Sequence, residues 1–489
     1  MNGSQTSNGS DNARPSTARL NRTAHRTLPG SVSQSRLGHA PPLLLVATIL
    51  GSLPIFALQP ACKPNPVKTP RATTKPLALV DWNVTAFKTG GVRVLLKRAP
   101  GKKVVAMRLY FQGGCQNLTD ANAGIEKLVL STTEIAGSRK YPMDRLARFL
   151  YSRGIQIYTG TGQDYSVLAA KAIQSQFRAA WDVLVDLALH PILRGPGLKV
   201  QRQRQMWAVR TQYDEADQQI SLKIEKEYFK GHPYERRQMG TVENLKRFTP
   251  QDLERYHRTM LQADRLLLVV TGDVDPAELK TLAIAAFGNL ASSSQEFHAT
   301  PPPRHEAPRL IHVPRDLPTN YILAYFAAPT PGQPDYAAAR LAAKLLSNKL
   351  FEDLRTQRRL CYAVSAGLSV RRSNVGYIYM STRSADQALR QTVRIIDELK
   401  HKGVTAKELA GLKAVFLTKR LMKLQTQSAQ AKLLARSLLV VGNWRWAGRS
   451  LAAIAAVTRP QLQAALNRYL KNLQVVVLGP KSPGQVQIP

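Results

Sequence analysis

At 489 residues, 44% of them hydrophobic and 21% charged, the chain is too long for one ordinary domain and apolar enough to build real cores. Wholesale disorder is thereby excluded. The 69 Lys+Arg against 32 Asp+Glu give a formal charge of +37. Residues 1–62 hold five Arg and one Asp, so 64 basic and 31 acidic residues, a charge of +33, remain downstream. Such a surface attracts anions, whether acidic peptides, phospholipid headgroups or polyanions. The chain has no zinc-finger spacing, aromatic sheet motif or basic-region heptad, and a nucleic-acid partner is not expected. Three cysteines, Cys62, Cys115 and Cys361, are too few for a disulfide framework and too scattered for a thiolate metal site.

Residues 1–40, rich in Ser, Asn, Thr, Gly and Arg, read as disordered. The uncharged run from Pro41 to Leu58, broken by Gly51 and Pro54, resembles the apolar core of an export signal or a retained anchor more than a stable spanning helix. It sets the expectation of an exported protein of the periplasm or cell envelope, with membrane attachment open. Cys62 follows Leu58 by four residues across Gln59 and Pro60, a poor fit to a lipid-attachment signal. The leader thus covers 1–62, and the Pro, Lys and Thr of 63–79 read as a tether.

From residue 80 an α+β pattern occurs twice. In the first half, 80–295, alternation predicts a strand over Val104–Phe111, followed by Gly113-Gly114 and a helix over Ala123–Ile135. A helix over Met143–Arg153 leads to strands at Ile155–Thr159 and Tyr165–Ala170, then to an amphipathic helix over Gln174–Leu189. The second half, 311–482, repeats this with a strand over Tyr321–Ala327, a helix over Asp335–Glu352, strands at Tyr362–Val370 and Gly376–Thr382, and a helix over Asp386–His401. Met107–Phe111 aligns with Ile322–Phe326 at a shift of 215 residues. Each half closes on an apolar strand before a glycine, Leu266–Thr271 and Leu473–Leu478. Four prolines within Ala299–Pro308 mark a linker over 296–310. The fold class expected is two tandem α+β domains, each a mainly antiparallel sheet with helices on one face.

Four stretches, in order and at fitting distances, resemble the insulinase/pitrilysin/mitochondrial processing peptidase family. They are Gly113-Gly114 with Ala123-Gly124-Ile125, the turn Gly231-His232-Pro233-Tyr234 with Gly240, the strand Leu268–Thr271 running into Gly272-Asp273, and Leu350–Arg355 with Leu360–Ala366. Together they span about residues 80–480. The resemblance implies half of a clamshell. It also implies an inverted zinc motif, H-x-x-E-H, on the first helix after the glycines. There, imidazoles at i and i+4 share a helix face and the glutamate serves as general base. This sequence has Lys127, Leu130 and Ser131 at those three positions, and Val209 where the distal glutamate ligand falls, with Asp214 and Glu215 the nearest acids. A charged lysine repels Zn²⁺ and a leucine accepts no proton. No metal is expected on this chain, and no two of its nine histidines stand at i,i+2 or i,i+4 to offer another site.

The second half of the family's site fares differently. The resemblance implies that Arg355 and Tyr362 hold the substrate backbone and its carbonyl, since guanidinium and phenol donors stabilise oxyanion charge. A purely structural alternative pairs Arg355 with Glu352, three residues earlier, and leaves Tyr362 as the start of a strand. Loss of the zinc ligands with retention of this pair resembles the non-zinc subunit of bacterial heterodimers, whose zinc-binding peptidase partner carries the metal and whose substrate is an extended peptide. The alternative is a structural or binding pseudopeptidase like the core subunits of the respiratory cytochrome bc complex. An autonomous peptidase would need a nucleophile–base pair, and the sequence offers none.

Overall fold

The computed structural model describes residues 82–293 and 300–489. The leader, the apolar run, the tether and residues 296–299 of the linker lie outside them. No helix among the described residues is long and apolar enough to cross a membrane.

The first half opens with a hairpin of β1 (Val84–Thr89) and β2 (Val92–Arg98), followed by β3 (Val104–Gln112), α1 (Ile125–Ala136), α2 (Met143–Arg153), β4 (Gln156–Gly160) and β5 (Tyr165–Ile173). Helices α3 (Phe177–Leu189), α4 (Gly195–Thr211), α5 (Ala216–Tyr228), α6 (Val242–Arg247) and α7 (Pro250–Met260) precede β6 (Leu266–Gly272) and α8 (Pro276–Phe287). The second half starts two residues inside the anticipated linker with β7 (Arg309–Pro314), then β8 (Asn320–Ala327), α9 (Tyr336–Leu350), β9 (Cys361–Leu368) and β10 (Val375–Thr382). It continues with α10 (Ala385–Lys402), α11 (Ala406–Lys423), α12 (Gln427–Val441), α13 (Trp446–Ala456), α14 (Arg459–Tyr469) and β11 (Gln474–Gly479).

The strand orders, β1-β2-β6-β3-β5-β4 and β7-β11-β8-β10-β9, match element for element once β1 is set aside. In each sheet a single pair is parallel, β2 with β6 and β7 with β11, and the remaining pairs are antiparallel. The 215-residue shift is therefore structural, because β3 and β8 hold equivalent places. Strands β6 and β11 are buried along their whole length. That is why they read as unbroken apolar runs instead of alternating ones.

Each sheet's own helices cover one face. Met107 and Leu109 of β3 join Leu128, Trp181 and Phe287 in one core, while Ile322, Ala324 and Phe326 of β8 join Leu341, Leu346 and Ile396 in another. The opposite faces are covered by exchange. Helix α5 of the first half lays Ile220, Ile224 and Tyr228 against Leu323, Tyr325, Val476 and Leu478 of the second sheet. Helix α12 of the second half lays Leu434, Ala435 and Leu439 against Tyr110, Leu267 and Val269 of the first. At about 1.5–3 kcal/mol for each large aliphatic or aromatic side chain buried, these faces tie the halves together strongly.

Local rules fix the ends. Helices α7, α11 and α14 begin with capping boxes, Thr249/Asp252, Thr405/Glu408 and Thr458/Gln461, each satisfying two orphan donors. Gly124, ahead of α1, has φ 97° and presses on Gly240, itself at φ 73°; a Cβ on Gly124 would stand 2.8 Å from the Gly240 Cα. This backbone contact explains why both motif stretches carry glycine there.

Candidate functional site

Helix α1 offers a half-exposed stripe of Lys127, Ser131, Glu134 and Ile135, at the i, i+4, i+7 spacing of one face. Ser131 Oγ is turned back onto its own helix, donating to the Lys127 carbonyl at 2.8 Å. Leu130 is buried in the first core at 4% exposure. Glu134 accepts from the backbone N–H of Thr159 in β4 at 3.0 Å and from its hydroxyl at 2.6 Å, which fixes its carboxylate to the sheet edge. The other acid of α1, Glu126, points the opposite way. It is buried and accepts from Ser166 Oγ and from the Tyr256 hydroxyl, the latter at 2.6 Å. Burial pushes its carboxyl above the ordinary range, against the pull of those two hydrogen bonds and of Arg265.

Val209 on α4 lies in the first core among apolar side chains. The polar residue of α4 that reaches α1 is Gln205, four positions earlier, whose Nε2 donates to the Gly124 and Met239 carbonyls at 3.0 Å each. An ammonium, a leucine and a hydroxyl donor do not make a zinc donor set, and no cluster of three His, Cys, Asp or Glu stands elsewhere among the described residues. The residues present do not fit the metal. His232, in the His-Pro-Tyr turn, is a structural bridge. Its Nδ1 accepts from the Tyr234 N–H at 3.0 Å and its Nε2 lies 3.0 Å from Ser373 Oγ of the second half.

Arg355 and Tyr362 are brought together. The guanidinium stacks 5.7 Å over the Tyr362 ring and 5.2 Å over Phe351, and Tyr362 is 84% exposed. The ion pair with Glu352 is not formed; the neighbouring Asp353 instead takes Arg358 at 2.8 Å. Three local irregularities hold this corner. Helix α9 runs on into a π-helical turn over Phe351–Gln357, beyond the helix end expected at Glu352. Arg359 follows at φ 54°, a left-handed conformation costly for a side-chain-bearing residue. In the ladder of β9 with β10, Ser381 pairs with Ala363 and Thr382 with Cys361, so Tyr362 is the bulged residue. Bulges and π-turns re-aim side chains, and both recur at functional sites. The corner lies on the terminal strand of its sheet, so among the described residues no strand pairs with the outer edge of β9.

The two clusters stay apart within the chain. Helix α1 packs on α3, α4, α7 and β4 of its own half, whereas the π-turn packs on α9 and β9. The buried thiols of Cys115 and Cys361 are pushed up to about 12 and about 11, chiefly by burial, so neither serves as a nucleophile.

Two family models match in tandem: one described as insulinase (peptidase family M16) over residues 93–242, and one described as the peptidase M16 inactive domain over 247–416. The chain belongs to the insulinase-like M16 family. An uncharacterized zinc protease of Mycobacterium leprae is 23% identical over 412 residues, 80% of this chain and 90% of that protein. The mitochondrial-processing peptidase subunit beta of Saccharomyces cerevisiae is 22% identical over 346 residues, 68% of this chain and 73% of that one. The M16 fold is shared with a solved M16 inactive domain from Pseudomonas fluorescens, with a TM-score of 0.76 at 18% identity over 83% of this chain and all of that one. Within the M16 frame, the first half has the motif helix without its metal chemistry, and the second half has the arginine–tyrosine corner in a shaped and exposed form.

Proposed function

We propose that this chain is the non-catalytic, substrate-holding subunit of a heterodimeric zinc peptidase of the cell envelope. A partner of the same family supplies the zinc and the general base. The carrying observation is the Arg355–Tyr362 corner. It is stacked and solvent-facing, built by three backbone irregularities, and packed on other elements than the chain's own α1. Two donors held in this way can grip a peptide carbonyl, and the outer edge of β9 can pair with an extended backbone. Support for the missing half of the chemistry comes from α1, whose Lys127, Leu130 and Ser131 leave a zinc partner to be found outside the chain. The apolar run before Cys62 supports export, with membrane attachment through that run part of the proposal.

Co-expression with a family member carrying an intact H-x-x-E-H motif tests the reading. The pair should co-purify and cleave peptide, while the isolated chain should hold no stoichiometric zinc by atomic absorption. In the mixed complex, Arg355→Ala should lower kcat/KM roughly 10²-fold, the usual loss for one oxyanion donor. Turnover unchanged by that substitution would sink the proposal and favour a purely structural pseudopeptidase.

A further inference from the structure

The face of the first sheet that α12 covers carries a cavity of about 400 Å³ near the β5–β4 edge, lined in part by second-half residues and sharing no lining residue with Lys127, Leu130, Ser131, Arg355 or Tyr362. Three donors lining it are buried and have no hydrogen-bond acceptor among the described residues: Arg108 Nε, Arg436 Nε and the Tyr158 hydroxyl. Arg108 is 9% exposed, stacks 5.0 Å over the Tyr158 ring, and makes only a long 3.4 Å bond to the Tyr110 hydroxyl. Lys432 stands at the mouth, exposed. Burial holds its amine below the ordinary lysine range, and Arg436 and Arg108 push it further down.

Among the described residues no carboxylate forms an ion pair with Arg108, Arg436 or Lys432. Asp164 also lines the cavity but already accepts from the Tyr234 hydroxyl and, at 3.1 Å, from the Arg372 N–H. The remaining cation of the lining, Arg371, is matched by Glu225 at 3.0 Å. Arg436 also acts on a further cation, Arg420. Arg420 is pushed down to about 10, first by burial and then by Arg340 and Arg436. A buried donor without a partner is costly, and several of one charge in one place are costlier still, unless an acceptor arrives from outside.

We propose that this pocket binds an oxyanion, a phosphate or carboxylate group, between Arg108, Arg436 and Lys432, with Tyr158 donating a further hydrogen bond. Guanidinium forks match the paired oxygens of either group, and the half-buried setting strengthens the attraction over its value in water. Water could satisfy the donors but not the charge. The shared chemistry has two sources, a free phosphate and the acidic side chain of a bound peptide.

The test uses the full isolated chain and needs no zinc partner, so its failure would leave the heterodimer reading standing. Inorganic phosphate is titrated at low ionic strength and unfolding temperature is followed, with chloride at matched ionic strength as reference. Phosphate should raise the midpoint in a saturable way that chloride does not reproduce. Arg436→Gln and Arg108→Met should each weaken the response at least tenfold. Lys432→Gln, at an exposed position that folding tolerates, should weaken it severalfold, while Arg394→Gln, at an exposed position of α10, should leave it unchanged. In a second arm, a Glu-containing peptide is compared with its Gln counterpart. Preference for Glu assigns the pocket to peptide side chains, and a response to phosphate alone assigns it to the free ion. Phosphate no better than chloride, or equal responses in wild type and all three pocket variants, would overturn the proposal.

Discussion

The two exchanged helices meet their sheets under the same conditions and settle their charges in opposite ways. Where α5 lies on the second sheet, the buried guanidinium of Arg371 finds Glu225 at 3.0 Å, and the same carboxylate accepts from the Tyr325 hydroxyl at 2.9 Å and from Gln163 at 3.1 Å. Where α12 lies on the first sheet, Arg108 and Arg436 line one cavity with no carboxylate paired to either among the described residues. Burial alone therefore does not tell a structural charge from one available to a ligand. The closed network is a lock between the halves, and the open one is a receptor.

Substitutions can break or sharpen this contrast. The largest effect belongs to the lock: Glu225→Ala strands Arg371, and urea unfolding should show a loss of about 3–5 kcal/mol. Next comes pH, which must be controlled before the junctions are compared. His257, packed on Ala188 at 2.9 Å, is lowered to about 4, chiefly by burial. The unfolded chain takes up this proton below about 6.5, whereas the folded chain resists until about 4. Acidification through that window therefore removes up to about 3 kcal/mol of stability, and the term is fully present above it. The difference between wild type and His257→Gln, followed by thermal melts from pH 7 to 4, isolates it from Glu126, whose raised carboxyl acts in the opposite direction. At the open junction the sign should reverse relative to the lock. In phosphate-free buffer, Arg108→Met should be neutral or stabilising by about 1 kcal/mol, because an uncompensated cation is replaced by an apolar chain. The smallest effect is expected at the exposed corner, where Tyr362→Phe should shift the isolated chain's stability by less than about 0.5 kcal/mol. A larger loss there would make the tyrosine structural.

Much of this arrangement was legible in residue order. The strand over Val104–Phe111, the helix over Met143–Arg153 and the 215-residue repeat follow from periodicity and reappear within a residue or two. Arg355 and Tyr362 were legible as a pair by motif. The devices that aim them were not, because a π-turn and a bulge each depend on one extra residue that local pattern does not mark. Gln205 is not legible in the sequence for a similar reason: spacing points four residues further on, to Val209, and only packing shows which turn of α4 reaches α1. The pocket could not have been read at all, since Arg108 and Arg436 meet across more than 300 residues of chain.

The helix exchange also has a consequence during synthesis. The last strand of the first sheet, β6, ends at Gly272, but α12 is complete only at Val441, about 170 residues later. At ~5–20 residues per second, an apolar sheet face remains uncovered on the ribosome for on the order of ten seconds or more. A chain of this topology is exposed to mispairing for as long as that face lacks α12.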